Sequence, residues 1–416
     1  MRFFYTIGIL FYSLGVRVAA LFGHAKAIQW VKGRKAKAFE LVPEPVEGRE
    51  GPTEQWIWFH AASLGEFEQG RPVIEALKER HPELKISLSF FSPSGYEVRK
   101  DYPLADEVLY LPSDTPVHAA EWVQRHHYVA AVFIKYEFWF NYMQALKDAG
   151  IPLFYISLIL KPDSYFFRWY GTWFFRQLRN VTHFFVQDEV TAQLLQDHGM
   201  TNVTVCGDTR FDRVAAIARQ AKPFPVVEEF INGRKCIIAG STWPPDERLL
   251  HDFLPQLPDD YCLIIAPHDI SENHIAQIKA QFPDSQLYTE MHAEKKNKIL
   301  VVNTIGILSQ LYQYARFVYI GGGFGVNIHN IQEPVTFGCP VVFGPKYKSF
   351  REAVDLVALE GAFSIQNAEE LKTIFLRLIN DEVFLTHASG VCIDYLNAQV
   401  GATQSIMEGL EKSLFS

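Results

Sequence analysis

Two carboxylates follow apolar runs that read as buried strands. Glu66 ends the stretch His60-Ala-Ala-Ser63-Leu-Gly-Glu66, directly behind WIWF, and Glu137 stands in Ile134-Lys-Tyr-Glu137-Phe-Trp139, behind VAAVF. A carboxylate held beyond the end of a strand among aromatic groups loses hydration, which raises its pKa and suits it to take a proton from a hydroxyl. Each also has a plainer use. Ser63 and Glu66 have the S-x-x-E spacing of a capping box, and Glu137 could pair with Lys135 at the surface. Gly65, Gly70 and Pro72 favour a helix that starts at Pro72, which would leave Glu66 in a glycine-flanked loop.

A second set of residues suits a phosphate and a sugar. The run FVYI is followed by Gly321, Gly322 and Gly323, then by a short helix expected over residues 330–337 with Gly338 as its C-cap, then by the run PVVF. Strand, glycine turn, helix start and second strand make a βαβ unit, and such sheets bind ligands beyond the carboxyl ends of their strands. Glycines let backbone amides approach a phosphate; Asn330 and Glu333 could accept bonds from sugar hydroxyls, or simply cap the helix. Val326 stands where a dinucleotide fingerprint needs glycine, so an NAD or FAD site loses its main support. Ser241 and Thr242, in Gly240-Ser-Thr-Trp243, and Pro267 and His268, which end another apolar run, complete the set. The hydroxyls suit a helix cap as well as a phosphate, and a lone histidine is more often structural than catalytic.

Two parallel sheets would hold these residues. Strands are expected at residues 55–62, 85–90, 107–111, 129–134, 152–157, 182–186 and 203–206, and again at 236–239, 261–266, 299–303, 317–320 and 340–343, with a helical tail from 368. Single helices between strands imply doubly wound α/β sheets. A chain of 416 residues calls for two domains. The boundaries read as an N-terminal segment 1–39, a domain 40–219 opened by a polar Pro/Gly linker at 40–54, a hinge 220–229 carrying Pro223 and Pro225, and a domain 230–416. The net charge of −8 argues against nucleic acid as a partner. Five widely spaced cysteines read as reduced core thiols, and neither they nor the histidines show metal-ligand spacing, so no metal is expected. No D-x-D pair stands at a strand end, where two carboxylates could hold a divalent metal.

Residues 1–23 are apolar apart from Arg2, Arg17 and a few hydroxyls and glycines, and five basic residues follow between Lys26 and Lys37. Arg17 leaves an uninterrupted stretch shorter than the ~20 residues of a bilayer span. The segment is expected either to dip into or weakly span a membrane, or to dock as a plain hydrophobic helix. In the membrane case its basic sequel would lie on the cytoplasmic side against anionic lipid.

Six stretches, in order, resemble the motifs of the Kdo (3-deoxy-D-manno-octulosonic acid) transferases: WIWFHAASLGE, the segment around Glu137 and Trp139, Cys206-Gly-Asp-Thr-Arg210, Gly240-Ser-Thr-Trp243, Ala266-Pro-His268 and GGGFGVNIHNIQEPVTFGCPVVFGP. The resemblance implies a GT-B fold, two Rossmann-like domains facing a cleft. It implies an inverting, metal-independent transfer of Kdo from CMP-Kdo to a lipid A precursor (lipid IVA), without a cofactor, at the cytoplasmic face of the inner membrane during lipopolysaccharide assembly. Glu66 would be the general base and Glu137 a second catalytic carboxylate. Ser241, Thr242, Pro267, His268, Gly321, Gly322, Gly323, Asn330 and Glu333 would surround the donor. Three places depart from the pattern: Lys135 stands where glutamate is usual, residues 157–164 match an arginine-containing stretch only loosely, and Asn327 replaces a common glycine. The second bears on acceptor contacts more than on the donor. Two other readings are a different GT-B enzyme, such as a UDP-sugar transferase or 2-epimerase, and a catalytically inactive nucleotide-sugar-binding protein at the membrane. CMP-selective binding separates the first of these from Kdo transfer.

Overall fold

The first alternating series folds into β1 (Trp56–Ala61), β2 (Lys85–Phe90), β3 (Glu107–Tyr110), β4 (Tyr128–Ile134), β5 (Leu153–Leu158), β6 (His183–Val186) and β7 (Val203–Val205), one sheet in the order 3-2-1-4-5-6-7 with all neighbours parallel. The second gives β8 (Lys235–Thr242), β9 (Tyr261–Pro267), β10 (Gln286–Leu287), β11 (Ile299–Val301), β12 (Ala315–Ile320), β13 (Val341–Phe343) and β14 (Ala362–Ser364), a parallel sheet in the order 10-11-9-8-12-13-14. Helices cover both faces of such sheets, so central strands are continuous apolar runs; β5 is buried at all six positions. Every expected strand is present, and β10 and β14 are additional to them. Strand order reverses between β1 and β4 in one sheet and between β8 and β12 in the other, and the carboxyl ends at such a reversal are where open sheets bind ligands.

This computed structural model describes residues 1–36, 54–291 and 297–415, and the chain forms two units, Met1–Asp212 with Gly401–Ser416, and Arg213–Val400. The expected linker at 40–54 lies outside the described residues except for Glu54. The expected boundary differs at both ends of the second domain. Residues 225–229 of the expected hinge are helical, within Pro225–Ile231, and belong to the second unit. The last helix, Ala402–Leu414, belongs to the first unit: the Asp212 carboxylate accepts the Gly401 and Thr403 amides (2.6 Å each), and Ile406, Met407 and Leu410 enter the core that holds Ile57, Phe59 and Phe67.

The helix after β1 corrects the expectation drawn from its glycines and proline. It runs unbroken from Leu64 to Arg80 through Gly65, Gly70 and Pro72. Gly70 is needed for close approach, since a Cβ there would sit 2.2 Å from Ile134 Cδ1. An interior proline costs about 3 kcal/mol, which burial of Phe67, Val73, Ile74 and Leu77 at about 1.5–3 kcal/mol each outweighs.

The N-terminal helix Arg2–Leu21 is long and apolar enough, by length and composition, to cross a membrane. Arg2, Tyr5 and Ser13 form a stripe at helical spacing that bonds to the protein, while Arg17 is exposed. Arg2 donates to Asn141 (2.9 Å), the Tyr5 hydroxyl donates to Asp114 (2.6 Å), and Ser13, the one buried residue of this helix, meets Ser113 (2.9 Å). Phe3, Phe4 and Phe11 point outward at about 70% exposure each, with Leu14 and Leu21. In the next helix, Ala25–Ala36, Arg34 turns inward against the expectation of a lipid-facing basic segment. It donates to the carbonyls of Leu111 (2.9 Å) and Phe91 (2.8 Å) and lies 3.9 Å from the Trp30 ring centroid, and burial lowers its pKa to about 9.

Candidate active site

Glu66 and Glu137 follow β1 and β4, the two strands that flank the reversal in the first sheet. Glu66 occupies the third position of its helix and completes a capping box with Ser63, whose amide donates to Oε2 at 3.0 Å. The cap does not exclude the base. Burial raises the Glu66 pKa to about 7, the neighbouring Glu137 charge adds to the rise, and the amides of Ser63 and Ala62 and the Lys135 ammonium pull against it. A carboxyl group with that pKa exchanges a proton near neutral pH.

Glu137 is no surface partner of lysine. Its carboxylate, 12% exposed, accepts the Trp139 indole N–H (2.8 Å), and the Tyr155 hydroxyl donates to its backbone carbonyl (2.7 Å). The Trp139 N–H is shared with His60 Nε2 (2.9 Å), so that nitrogen accepts. His60 Nδ1 lies 2.8 Å from Ser89 Oγ, which already receives the Trp58 N–H and turns its own proton toward the Phe59 carbonyl. These bonds put the His60 proton on Nδ1. The chain Ser89–His60–Trp139, with Ser89 and His60 fully buried and Trp139 partly so, thereby fixes the Glu137 head. The strand ends are also strained: Lys135 and Ser157 are held at positive φ (66° and 55°), as is Ser241 (52°) in the other unit.

In the second unit the expected donor residues meet at the ends of β8, β9 and β12, on both sides of the other reversal. His268, at the end of β9, is exposed and donates its amide to the Thr242 carbonyl (2.9 Å), while Pro267 is the buried last residue of that strand. Trp243, His268 and His329 stack, with ring centroids 4.7 and 4.3 Å apart along the series, and the Trp243 N–H donates to His329 Nε2 (3.0 Å). His329 therefore carries its proton on Nδ1, and burial and the neighbouring His268 lower its pKa.

Several donor residues are used differently from expectation. Thr242 is fully buried and its hydroxyl donates to Glu247 (3.1 Å), whose other oxygen meets His274 Nε2 (3.0 Å), so it turns away from any ligand. The Gly321 amide donates to the Gly240 carbonyl and the Gly322 amide to Asp246 (3.0 Å), so neither is left for a phosphate. The turn is glycine for room: a Cβ on Gly321 would sit 2.6 Å from Thr242 Cα, and Gly322 has φ +90°. The expected helix at 330–337 spans only Gln332–Thr336, because Asn330 forms a turn of its own, accepting the Gln332 amide (2.9 Å) and donating to Glu333 (3.2 Å). Burial raises the Glu333 pKa. Gly338 does close that helix, at φ +69°.

A family model described as 3-deoxy-D-manno-octulosonic-acid transferase (kdotransferase) matches residues 33–213. A 3-deoxy-D-manno-octulosonic acid transferase of Aquifex aeolicus is 26% identical over 332 residues, 78% of this chain and 86% of that protein. A probable mitochondrial 3-deoxy-D-manno-octulosonic acid transferase of Arabidopsis thaliana is 26% identical over 387 residues, 86% of each. The chain is similar to 3-deoxy-D-manno-octulosonic acid transferases over most of its length. The chain shares its GT-B-like fold with the UDP-GlcNAc 2-epimerase of Neisseria meningitidis (TM-score 0.60, 14% identity, 86% of this chain and 100% of that one) and a putative UDP-N-acetylglucosamine 2-epimerase of Listeria monocytogenes (TM-score 0.59, 12% identity, 86% and 96%).

Sequence reasoning passed over three residues that organise these two sites. His60 was visible only as part of a motif, since its partners Ser89 and Trp139 are distant in the chain. Asp246 reads as a helix-start acid, yet it accepts the amides of Trp243 and Gly322 (3.0 Å each) and the Tyr319 hydroxyl (2.7 Å). His329 stands beside Asn330, and its stacking partners come from β8 and β9.

Proposed function

We propose that this protein transfers Kdo from CMP-Kdo to a lipid A precursor (lipid IVA), by an inverting, metal-independent displacement at the cytoplasmic face of the inner membrane. Glu66 carries the reading: its carboxylate is half-buried at a helix start with its pKa raised to about 7, where a base for a sugar hydroxyl is needed. The acceptor hydroxyl gives its proton to Glu66 as its oxygen bonds to the anomeric carbon, and the bond from that carbon to the phosphate of CMP breaks. Glu137, held by Trp139 and His60, keeps the Glu66 pKa high and orients the incoming hydroxyl. In the second unit the exposed Trp243–His268–His329 stack offers a ring face for the base, and the His329 Nδ1–H, Ser241 and Asn330 offer polar contacts to the phosphate and sugar. Similarity to 3-deoxy-D-manno-octulosonic acid transferases over most of the chain supports the sugar, and no cofactor is called for.

The N-terminal helix supports the lipid acceptor. A helix in water turns its apolar face inward, and this one turns its polar stripe inward and its phenylalanines out, the arrangement of a helix lying on a membrane with the protein beneath it. The test is transfer of Kdo from enzymatically generated CMP-Kdo to purified tetra-acylated lipid A precursor in detergent, with and without EDTA. It is run beside binding of CMP and UDP and flotation with anionic vesicles. Product formed with EDTA present, and selective CMP binding, support the reading. UDP-selective binding without product points to a UDP-sugar enzyme, and CMP binding without product to an inactive binder.

A further inference from the structure

Among the described residues, a cavity of about 470 Å³ lies in the first unit between the N-terminal helix and the segments 138–140 and 165–174. Its size is that of small-molecule sites, ~300–1,000 Å³. Its walls include Tyr5 and Ile9 from the helix, Trp139 and Phe140 from the segment after β4, and Tyr170 and Phe174. No charged side chain lines it. Of the polar atoms on its walls, the Tyr5 hydroxyl is taken by Asp114 and the Trp139 N–H by His60 and Glu137. Apart from the Tyr165 and Tyr170 hydroxyls the lining is aliphatic and ring carbon, which suits an acyl chain better than a phosphate.

Two observations say where the hydrocarbon comes from and where it leads. Tyr5 and Ile9 belong to the helix whose outer face carries Phe3, Phe4 and Phe11, and Tyr170, half exposed, packs beside the 90% exposed Trp169, amphipathic rings of the kind found at membrane–water boundaries. The Trp139 ring that walls the cavity also hydrogen-bonds the Glu137 carboxylate. We propose that this cavity takes one acyl chain of the lipid acceptor and so sets the acceptor's sugar headgroup beside Glu66 and Glu137. The inference rests on the proposed lipid acceptor and adds the place where it is gripped.

The experiment compares a long-chain acceptor with one whose chains are cut short, both in the same detergent so that bulk partitioning cancels, using the full-length protein and its Ile9→Trp variant, which fills the cavity. Gripping the chain positions the headgroup, so wild type is expected to prefer the long-chain acceptor by about tenfold in kcat/KM, and Ile9→Trp to lose that preference. In parallel, an acceptor bearing a diazirine in its acyl chain is photolysed with wild-type protein, and the label is expected on peptides carrying Tyr170 or Phe174. This second arm does not depend on the variant folding. Equal preference in both proteins, with label only on the outer residues Phe3 and Phe11, overturns the cavity and leaves the transferase standing. Absence of transfer by wild type to either acceptor overturns the transferase reading, and this inference with it.

Discussion

Replacing Glu66 with glutamine separates its two roles. Glutamine at this position still accepts the Ser63 amide, so the capping box survives, but it cannot take a proton. Loss of the base is expected to lower kcat by about 10²–10⁴. Stability should move the other way. The folded protein holds the Glu66 proton up to a pH of about 7, whereas the unfolded chain releases it near the ordinary 4.5, so wild-type stability declines across that interval as pH rises. With the side chain partly solvated, the ionised form costs about 2–3 kcal/mol at pH 8. Glu66→Gln removes that cost. Against wild type, its melting temperature should be nearly unchanged at pH 4.5 and higher by roughly 5–10 °C at pH 8 for a unit of about 200 residues. Calorimetry at several pH values, beside the transfer assay, reads both. A variant within tenfold of wild-type kcat, or one whose melting temperature follows the same pH course as wild type, would refute the reasoning.

Three further outcomes follow from the geometry. Glu137→Gln keeps an acceptor for the Trp139 N–H but removes the like charge beside Glu66, so the acid limb of the pH–rate profile should move to lower pH without reaching the ordinary carboxylate range, since burial, the larger cause, remains. Asp246→Ala strands two amides and a hydroxyl in a buried site, and urea unfolding of the second unit should show a loss of about 3 kcal/mol or more together with a raised KM for the donor. Asp212→Ala removes two amide bonds from the start of the last helix, and should cost about 1–2 kcal/mol and hasten proteolytic release of the C-terminal residues.

The parallel sheets were legible because both faces of each are covered, which writes central strands such as LFYISL as unbroken apolar runs. Pairings between distant residues were not. Three glycines in a row announce a turn, but Gly322 gives its amide to an aspartate far back in the chain, and only the folded sheet brings β8 beside β12. The last helix could be read as a helix, yet which unit it covers depends on Asp212. The inward polar stripe of the N-terminal helix, by contrast, was open to reading, since Arg2, Tyr5, Thr6 and Ser13 share a helical face; attention to total hydropathy hid it.

Glu66 shows why cap and base need not compete. Helix-start amides favour its ionised form, burial and Glu137 favour its protonated form, and the second pair wins. Lys135 belongs to this balance. It stands where the resemblance leads one to expect glutamate, it is held at φ 66°, and its charge lowers the Glu66 pKa. A carboxylate there would push the same way as Glu137. Lys135→Glu should therefore move the acid limb of the pH–rate profile to higher pH, opposite in direction to Glu137→Gln, and make stability decline with pH over a wider range. The double variant Lys135→Glu, Glu137→Gln should fall between the two. An acid limb that stays in place in all three variants would mean that Glu66 does not set it.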